Sequence, residues 1–281
     1  MIVVREDLST RTALSKSVLG AFELCETKTW WGIHDPRPFV PNEKVVFGSA
    51  VDAGVEVIVK TLSSGQPVQL DRAYAAAAEV VERDGVELVF SDVERALDDF
   101  DRDVAPKFDW QYAVTQASIT AELDGLGECN GHPDIILADG TVLDVKTSAR
   151  AKTVPSLELG FYALLMEESS KAPVPFVGYL NYVRLVKPYW HGFTTRPDGK
   201  TMGEPLIAPV TDELRRWSYE KAAAYVRARK ADALLNARAE APSNYTMAGG
   251  PRFDGLCSDC PYNPALGGPC LIAVRGESDA A

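Results

Sequence analysis

The sequence predicts an α/β fold: a mixed central sheet with a helical segment inserted before it. Three observations lead there. The element signals run helices, strands, helix, strands, helix, and that order suits a sheet covered by helices. The chain has 281 residues, enough for one large domain or a core with an added subdomain. It carries neither a Gly-rich phosphate loop nor a dinucleotide-binding fingerprint, so a nucleotide-binding doubly wound sheet is not indicated.

The elements follow in order. Residues 10–32 read as a short helix and then an aromatic segment. Thr12 to Ser17 form a capped start, and Val18, Leu19 and Phe22 supply the apolar stripe up to Cys25. Pro36, Pro38 and Pro41 mark residues 33–46 as a loop. Residues 48–62, 71–84 and 91–104 read as helices, the second rich in alanine and the third acidic. Residues 111–122 and 129–148 read as strands, with Ile135, Ile136, Leu137, Val142, Leu143 and Val145 in the core. Pro155 suits the first turn of a helix running to about Ser169. Strands are expected over 175–186 and 189–195, and a long helix over 211–236. The division expected is an N-terminal segment (1–47), a helical segment (48–110), a core (111–236) and a cysteine-bearing C-terminal region (237–281).

The chemistry centres on 131–146. Gly131-His132-Pro133-Asp134 is followed by Asp144-Val145-Lys146 across the turn signal Ala138-Asp139-Gly140. Alternate residues of a strand share a face, so Asp144 and Lys146 point one way and Val145 points into the core. A two-residue Asp-Gly turn would pair Asp134 with Val145. A three-residue loop with Gly140 left-handed pairs Asp134 with Asp144, and this register is the one expected. Two carboxylates facing each other repel by up to about 1 kcal/mol, and a cation between them removes that cost. A charged surface hairpin carries the same spacing.

Acidic residues outnumber basic ones for a net charge of −11, which argues against a protein that coats nucleic acid by bulk charge. One basic stretch stands out, with Arg215, Arg216, Lys221, Arg227, Arg229 and Lys230 on a single predicted helix. It reads equally as a solvated face or a DNA contact. No apolar run is long enough to span a membrane and the first thirty residues do not read as a signal peptide, so a cytoplasmic protein without a membrane partner is expected. Cys257, Cys260 and Cys270 form a metal or cluster signature in such a compartment. Zinc and iron–sulfur both fit, with Cys25 or Cys129 as the fourth ligand. Asp52 and Glu56 lie four apart near a helix start, as do Glu158 and Tyr162 on the helix after Lys146, so each pair shares a face.

Taken together, these residues resemble the RecB-like nucleases of the PD-(D/E)XK superfamily. The chain is most similar to the branch with a four-cysteine iron–sulfur cluster, the CRISPR-associated RecB-like exonucleases and their phage relatives. The resemblance spans about residues 14–270. It rests on Leu14-Ser15-Lys16-Ser17 leading to Cys25, Gly48 with Asp52, Gly131 with Asp134, Asp144-Val145-Lys146, Glu158 with Tyr162, and the three late cysteines. It implies a restriction-endonuclease-like core and a metal-dependent exonuclease acting on DNA ends, single strands above all. Asp52, Asp134, Asp144 and the Val145 carbonyl would hold Mg²⁺ or Mn²⁺. Lys146 would be catalytic, with Glu158 and Tyr162 positioning it or the strand. Cys25, Cys257, Cys260 and Cys270 would hold a structural [4Fe-4S] cluster, and Arg215, Arg216, Arg227 and Lys230 would touch DNA. The resemblance admits a homo-oligomer or a helicase or recombinase partner, in phage recombination, repair or CRISPR-related processing.

The chain departs from the family in three places. Asp52 stands where the family has His, Glu158 stands where it has Gln, and the gap from Cys260 to Cys270 is longer than usual. The first two keep alive a DNA-binding or assembly factor with a decayed site. A zinc-stabilised protein with an incidental hairpin is a third reading.

Overall fold

The computed structural model describes residues 14–25, 29, 32 and 41–234. Cys257, Cys260, Cys270 and the whole expected region 237–281 lie outside the described residues. The described residues belong to two compact units, one holding 40–121 and 131–217, the other holding 14–25, 122–130 and 218–234. The expected helical segment and most of the expected core thus share one unit, while 122–130 fall in the other.

The larger unit is a helical layer against a mixed sheet. Its helices are α2 (Glu43–Ser63), α3 (Leu70–Asp84), α4 (Phe90–Asp99) and α5 (Leu157–Ser170), with the start of α6 (Asp212–Leu234). The sheet runs β2 (Val114–Thr115), β5 (Ile135–Ile136), β6 (Val142–Ser148), β7 (Phe176–Val183), β8 (Tyr189–Trp190), with β9 (Leu206–Pro209) also on β7. Only β6 and β7 are parallel, and α5 is their crossover; the other pairs are antiparallel. That makes the sheet mixed, as expected.

Several ends of these helices have a local cause. Asn42 caps α2 through its side chain, which accepts from Val45 N–H at 3.1 Å. Gly85 closes α3 in the left-handed conformation. The acidic helix ends at Asp99 and continues as a π-helical turn over Phe100–Val104. Pro155, expected in the first turn of α5, instead stands just before its cap. Ser156 is the cap, and its hydroxyl accepts from Glu158 N–H at 3.2 Å. The strand expected over 111–122 is two short pieces, β2 and β3 (Ile119–Leu123). Tyr112 and Gln116 adopt φ of 64° and 49°, which no strand tolerates.

Two cores sandwich the sheet. On one side Phe47, Val51 and Val55 of α2 pack with Leu143, Val145, Leu180 and Tyr182. On the other, Leu159, Tyr162 and Ala163 of α5 pack with Val142, Val177 and Tyr179. Each valine, leucine or phenylalanine among them, once buried, contributes about 1.5–3 kcal/mol. Trp190 is fully buried and still satisfied, since its indole N–H donates to Ala96 O at 2.9 Å.

The smaller unit holds α1 (Lys16–Leu24), β4 (Gly127–Gly131) and the later part of α6. Ser15 caps α1, accepting from Val18 N–H at 3.3 Å, and β1 (Leu14–Ser15) pairs parallel with β4. Phe22 meets Tyr225 edge-on at 5.3 Å between ring centres. Cys25 ends α1 half-buried, and Cys129 is fully buried on β4. Burial pushes the Cys129 thiol up to about 11, aided by Glu122. Among the described residues no helix is long and apolar enough to cross a membrane.

Candidate active site

The hairpin from β5 to β6 has the register expected from its turn. Ile135 pairs with Leu143 and Ile136 with Val142. Leu137 N–H donates to Thr141 O at 2.9 Å, Gly140 N–H donates to Leu137 O at 2.9 Å, and Gly140 has φ of 87°. Residues 138–140 therefore form the loop, and Gly140 takes the conformation that L side chains resist. Continuing this register places Asp134 opposite Asp144 and Pro133 opposite Val145.

Pro133 then matters chemically. It has no N–H to give the Val145 carbonyl, so the ladder is cut there. Asp134 takes over: its Oδ2 accepts Val145 N–H at 2.8 Å. Gln116 ties the same aspartate from β2's side, its N–H donating to Asp134 O at 3.0 Å and its amide standing 3.4 Å from Oδ1. The carboxylate is thereby drawn over the β6 backbone beside Asp144.

Asp144 is fully buried and forms an ion pair with Lys146, whose side chain is 24 % exposed. Lys146 Nζ also lies 3.9 Å from Glu158 Oε2 on α5. β7 completes the face, because Asp144 pairs with Tyr179 and Lys146 with Asn181. Lys146 stands 5.9 Å from the centre of the Tyr179 ring. Tyr162, one turn after Glu158, donates its hydroxyl to His132 O at 2.7 Å and so holds the strand entering Asp134. Burial, then the Asp144 and Asp134 carboxylates, raise its phenol well above the usual range, so it remains a donor.

Four residues were not singled out from the sequence. Lys152 lies 3.1 Å from Glu158 Oε2 and 4.7 Å from the Tyr179 ring centre. Fully buried Asn181 clamps its backbone, accepting Lys152 N–H at 3.0 Å and donating to Lys152 O at 3.2 Å. Tyr179 is 3.3 Å from Glu158 Oε2 and hydrogen-bonds Ser156. The only signal in the sequence was a polar pair two apart, Tyr179 and Asn181, inside an apolar strand. The extra charge of Glu158 is thus met by Lys152. Asn181→Ala is expected to cost about 1 kcal/mol, because it removes two part-buried hydrogen bonds to the Lys152 backbone. Thermal unfolding checks it, and an unchanged midpoint would contradict the clamp.

Asp52 lies on α2, half-buried, one turn past Gly48. A Cβ on Gly48 would sit 2.8 Å from Thr147 Oγ1, so the glycine lets the helix approach β6. The helix starts where Glu43 binds Arg184 at 3.0 Å and ends where Ser63 O accepts Tyr112 N–H at 3.3 Å, so it runs antiparallel to β6. Four residues advance about 6 Å, which carries Asp52 from Thr147 back toward Val145. Glu56 is not brought into the site, since it pairs with Lys60 at 2.5 Å.

Among the described residues no three His, Cys, Asp or Glu side chains form a ready metal cage. Mg²⁺ does not require one. It binds through one or two carboxylates, waters and substrate phosphates. The facing pair Asp134 and Asp144, beside a carbonyl that Pro133 cannot bond, is a hard-oxygen donor set that fits such an ion.

The basic residues divide. Arg215 binds Glu167 at 2.7 Å and Asp212 at 3.0 Å, which ties α6 to α5 and occupies its guanidinium. It is therefore a structural anchor rather than the DNA contact expected. Arg216, Arg227 and Lys230 are exposed. Cys25 ends its helix as described.

No protein-family model and no curated protein matches this sequence. Among solved structures, a Eubacterium rectale protein named "putative exonuclease" overlaps with a TM-score of 0.53 at 15 % identity, covering 83 % of this chain and 85 % of its own. SSO0001 (TM-score 0.28, 15 % identity, covering 92 % and 96 %) and LHK-Exo in complex with dAMP (0.31, 12 %, 67 % and 93 %) overlap too poorly to carry an argument. At these identities the first likeness establishes the fold alone: a mixed α/β architecture shared with that protein.

Proposed function

We propose that the protein is a metal-dependent deoxyribonuclease of the RecB-like PD-(D/E)XK type that degrades DNA from its ends, single strands above all. One observation carries this reading: the β5–β6 register, continued by one residue, sets Asp134 opposite Asp144, while Lys146 leaves the same strand face toward Glu158 and Tyr179, which Lys152 also meets. The shared fold with a protein named as an exonuclease supports it. Asp134, Asp144 and the Val145 carbonyl would hold Mg²⁺ or Mn²⁺, with Asp52 supplying a further oxygen where relatives use His. A divalent ion there supplies Lewis acidity toward a phosphate oxygen and acidifies water.

The chain's own groups do the rest. Lys146 orients the attacking water and offsets negative charge growing on the phosphate oxygens. Glu158 and Tyr179 hold the ammonium in place, and Tyr162 fixes the strand that carries Asp134. Lys152 balances Glu158 so that a phosphate meets no net acidic barrier. Arg216, Arg227 and Lys230 contribute backbone contacts that carry no sequence preference. Cys25, Cys257, Cys260 and Cys270 are proposed as ligands of a structural [4Fe-4S] cluster, and anaerobically purified protein should then be brown.

End dependence gives the test. With Mn²⁺, linear single-stranded DNA is expected to be degraded while a circular strand of the same sequence survives. Equal loss of both would replace the exonuclease with an endonuclease. Loss of neither, by folded protein that binds DNA, would leave a binding or assembly factor with a decayed site.

A further inference from the structure

A second cleft, of about 630 Å³, opens at the carboxyl ends of β6 and β7. Its volume suits a small-molecule-sized group, and the carboxyl ends of parallel strands are a favoured place for ligands. Phe47, Tyr182, Arg184 and Lys44 help line it, together with Glu43 and with Arg95, which lies 3.6 Å from Asp92. Thr147 directly follows Lys146 on β6 and faces the α2 side of the sheet with Tyr182, while Lys146 faces the α5 side.

Arg184 is held as a flat plate. Its guanidinium carbon lies 3.9 Å from the centre of the Phe47 ring. Glu43 fixes its edge at 3.0 Å, and its backbone N–H donates to Ser148 O at 2.8 Å. One face is against Phe47, and the side chain, 27 % exposed, gives the other face to the cleft. Tyr182 also lines the cleft. It is 1 % exposed, and its hydroxyl has no hydrogen-bond partner among the described residues. A guanidinium plate stacks nucleobases, and Lys44 at the rim suits a phosphate.

We propose that this cleft seats a nucleotide of a bound DNA strand at the carboxyl ends of β6 and β7, with its base stacked on the outer face of Arg184. The inference rests on the nuclease reading and adds a base-stacking subsite to it. The occupant is a nucleotide of single-stranded DNA, since a base inside a duplex has both faces covered by its neighbours.

The test is the affinity of labelled single strands for Lys146→Ala protein, read by fluorescence anisotropy, with one abasic nucleotide moved along the strand. One position is expected to weaken Kd about tenfold, the size of a lost base stack. Adding Arg184→Lys, which keeps the charge and removes the plate, should weaken the intact strand equally and abolish that positional effect. Arg184→Leu, which keeps Phe47 covered, should do the same and guards against a folding defect. Strands bound with no sensitive position, or with the same sensitivity after Arg184→Lys, would overturn the subsite. Metal-dependent cleavage by the wild-type protein reports separately on the nuclease reading.

Discussion

Lys146→Ala is expected to fold, to bind Mn²⁺ and to lose cleavage by about 10²–10³-fold, the scale of a removed electrostatic stabiliser. The same change should alter stability in a way that depends on metal. Asp144 is fully buried and its ion-pair partner is Lys146. Without the ammonium, the site holds a buried carboxylate opposite Asp134. The cost without metal is expected near about 3 kcal/mol, the low end for breaking a buried pair, because Lys146 is itself partly exposed. A divalent ion restores positive charge to the same place. Mn²⁺ should therefore raise the melting temperature of the variant more than that of the wild type. Thermal unfolding in EDTA and in Mn²⁺ reads this, and equal shifts in the two proteins would contradict it.

Asp144→Ala should respond in the opposite sense. It removes one of the two facing carboxylates, so Mn²⁺ should no longer raise the melting temperature, and cleavage should vanish with it. Stability without metal should change little, within about 1–2 kcal/mol. Two effects oppose each other here. Repulsion between Asp134 and Asp144, up to about 1 kcal/mol, is relieved. Lys146 loses its nearest acid but keeps Glu158 at 3.9 Å and partial contact with water. Calorimetric titration with Mn²⁺ supplies the direct reading. Wild-type affinity in Asp144→Ala would remove the residue from the metal site.

What the sequence reveals about this site follows from the range of the forces involved. The hairpin register was legible because its cause is local. Asp139-Gly140 specifies the turn, and a slip by one residue would turn Val145 out of the core. The helices at 70–84 and 212–234 were legible to within two residues for the same reason, whereas the one at 43–63 starts five residues early, inside the expected loop, where Asn42 caps it. β9 was not, since it lies between Pro205 and Pro209 with no alternation to mark it. Nor were the breaks at Tyr112 and Gln116, which are imposed by the connection from α2 and by Asp134. Contacts between distant residues stayed hidden. Lys152 reaches Glu158 only because Asn181, 29 residues away, clamps its backbone. Arg215 looked like a DNA contact until Glu167, 48 residues away, took its guanidinium. Charge spacing gives a helix face but not what that face meets.

The most direct measurement is degradation of end-labelled single-stranded DNA by anaerobically purified protein, in Mn²⁺ and in EDTA, beside Lys146→Ala. Degradation that needs Mn²⁺ and that the variant lacks is the predicted result, and it would assign hydrolysis to Asp134, Asp144 and Lys146. Cleavage by Lys146→Ala at the wild-type rate would contradict that assignment.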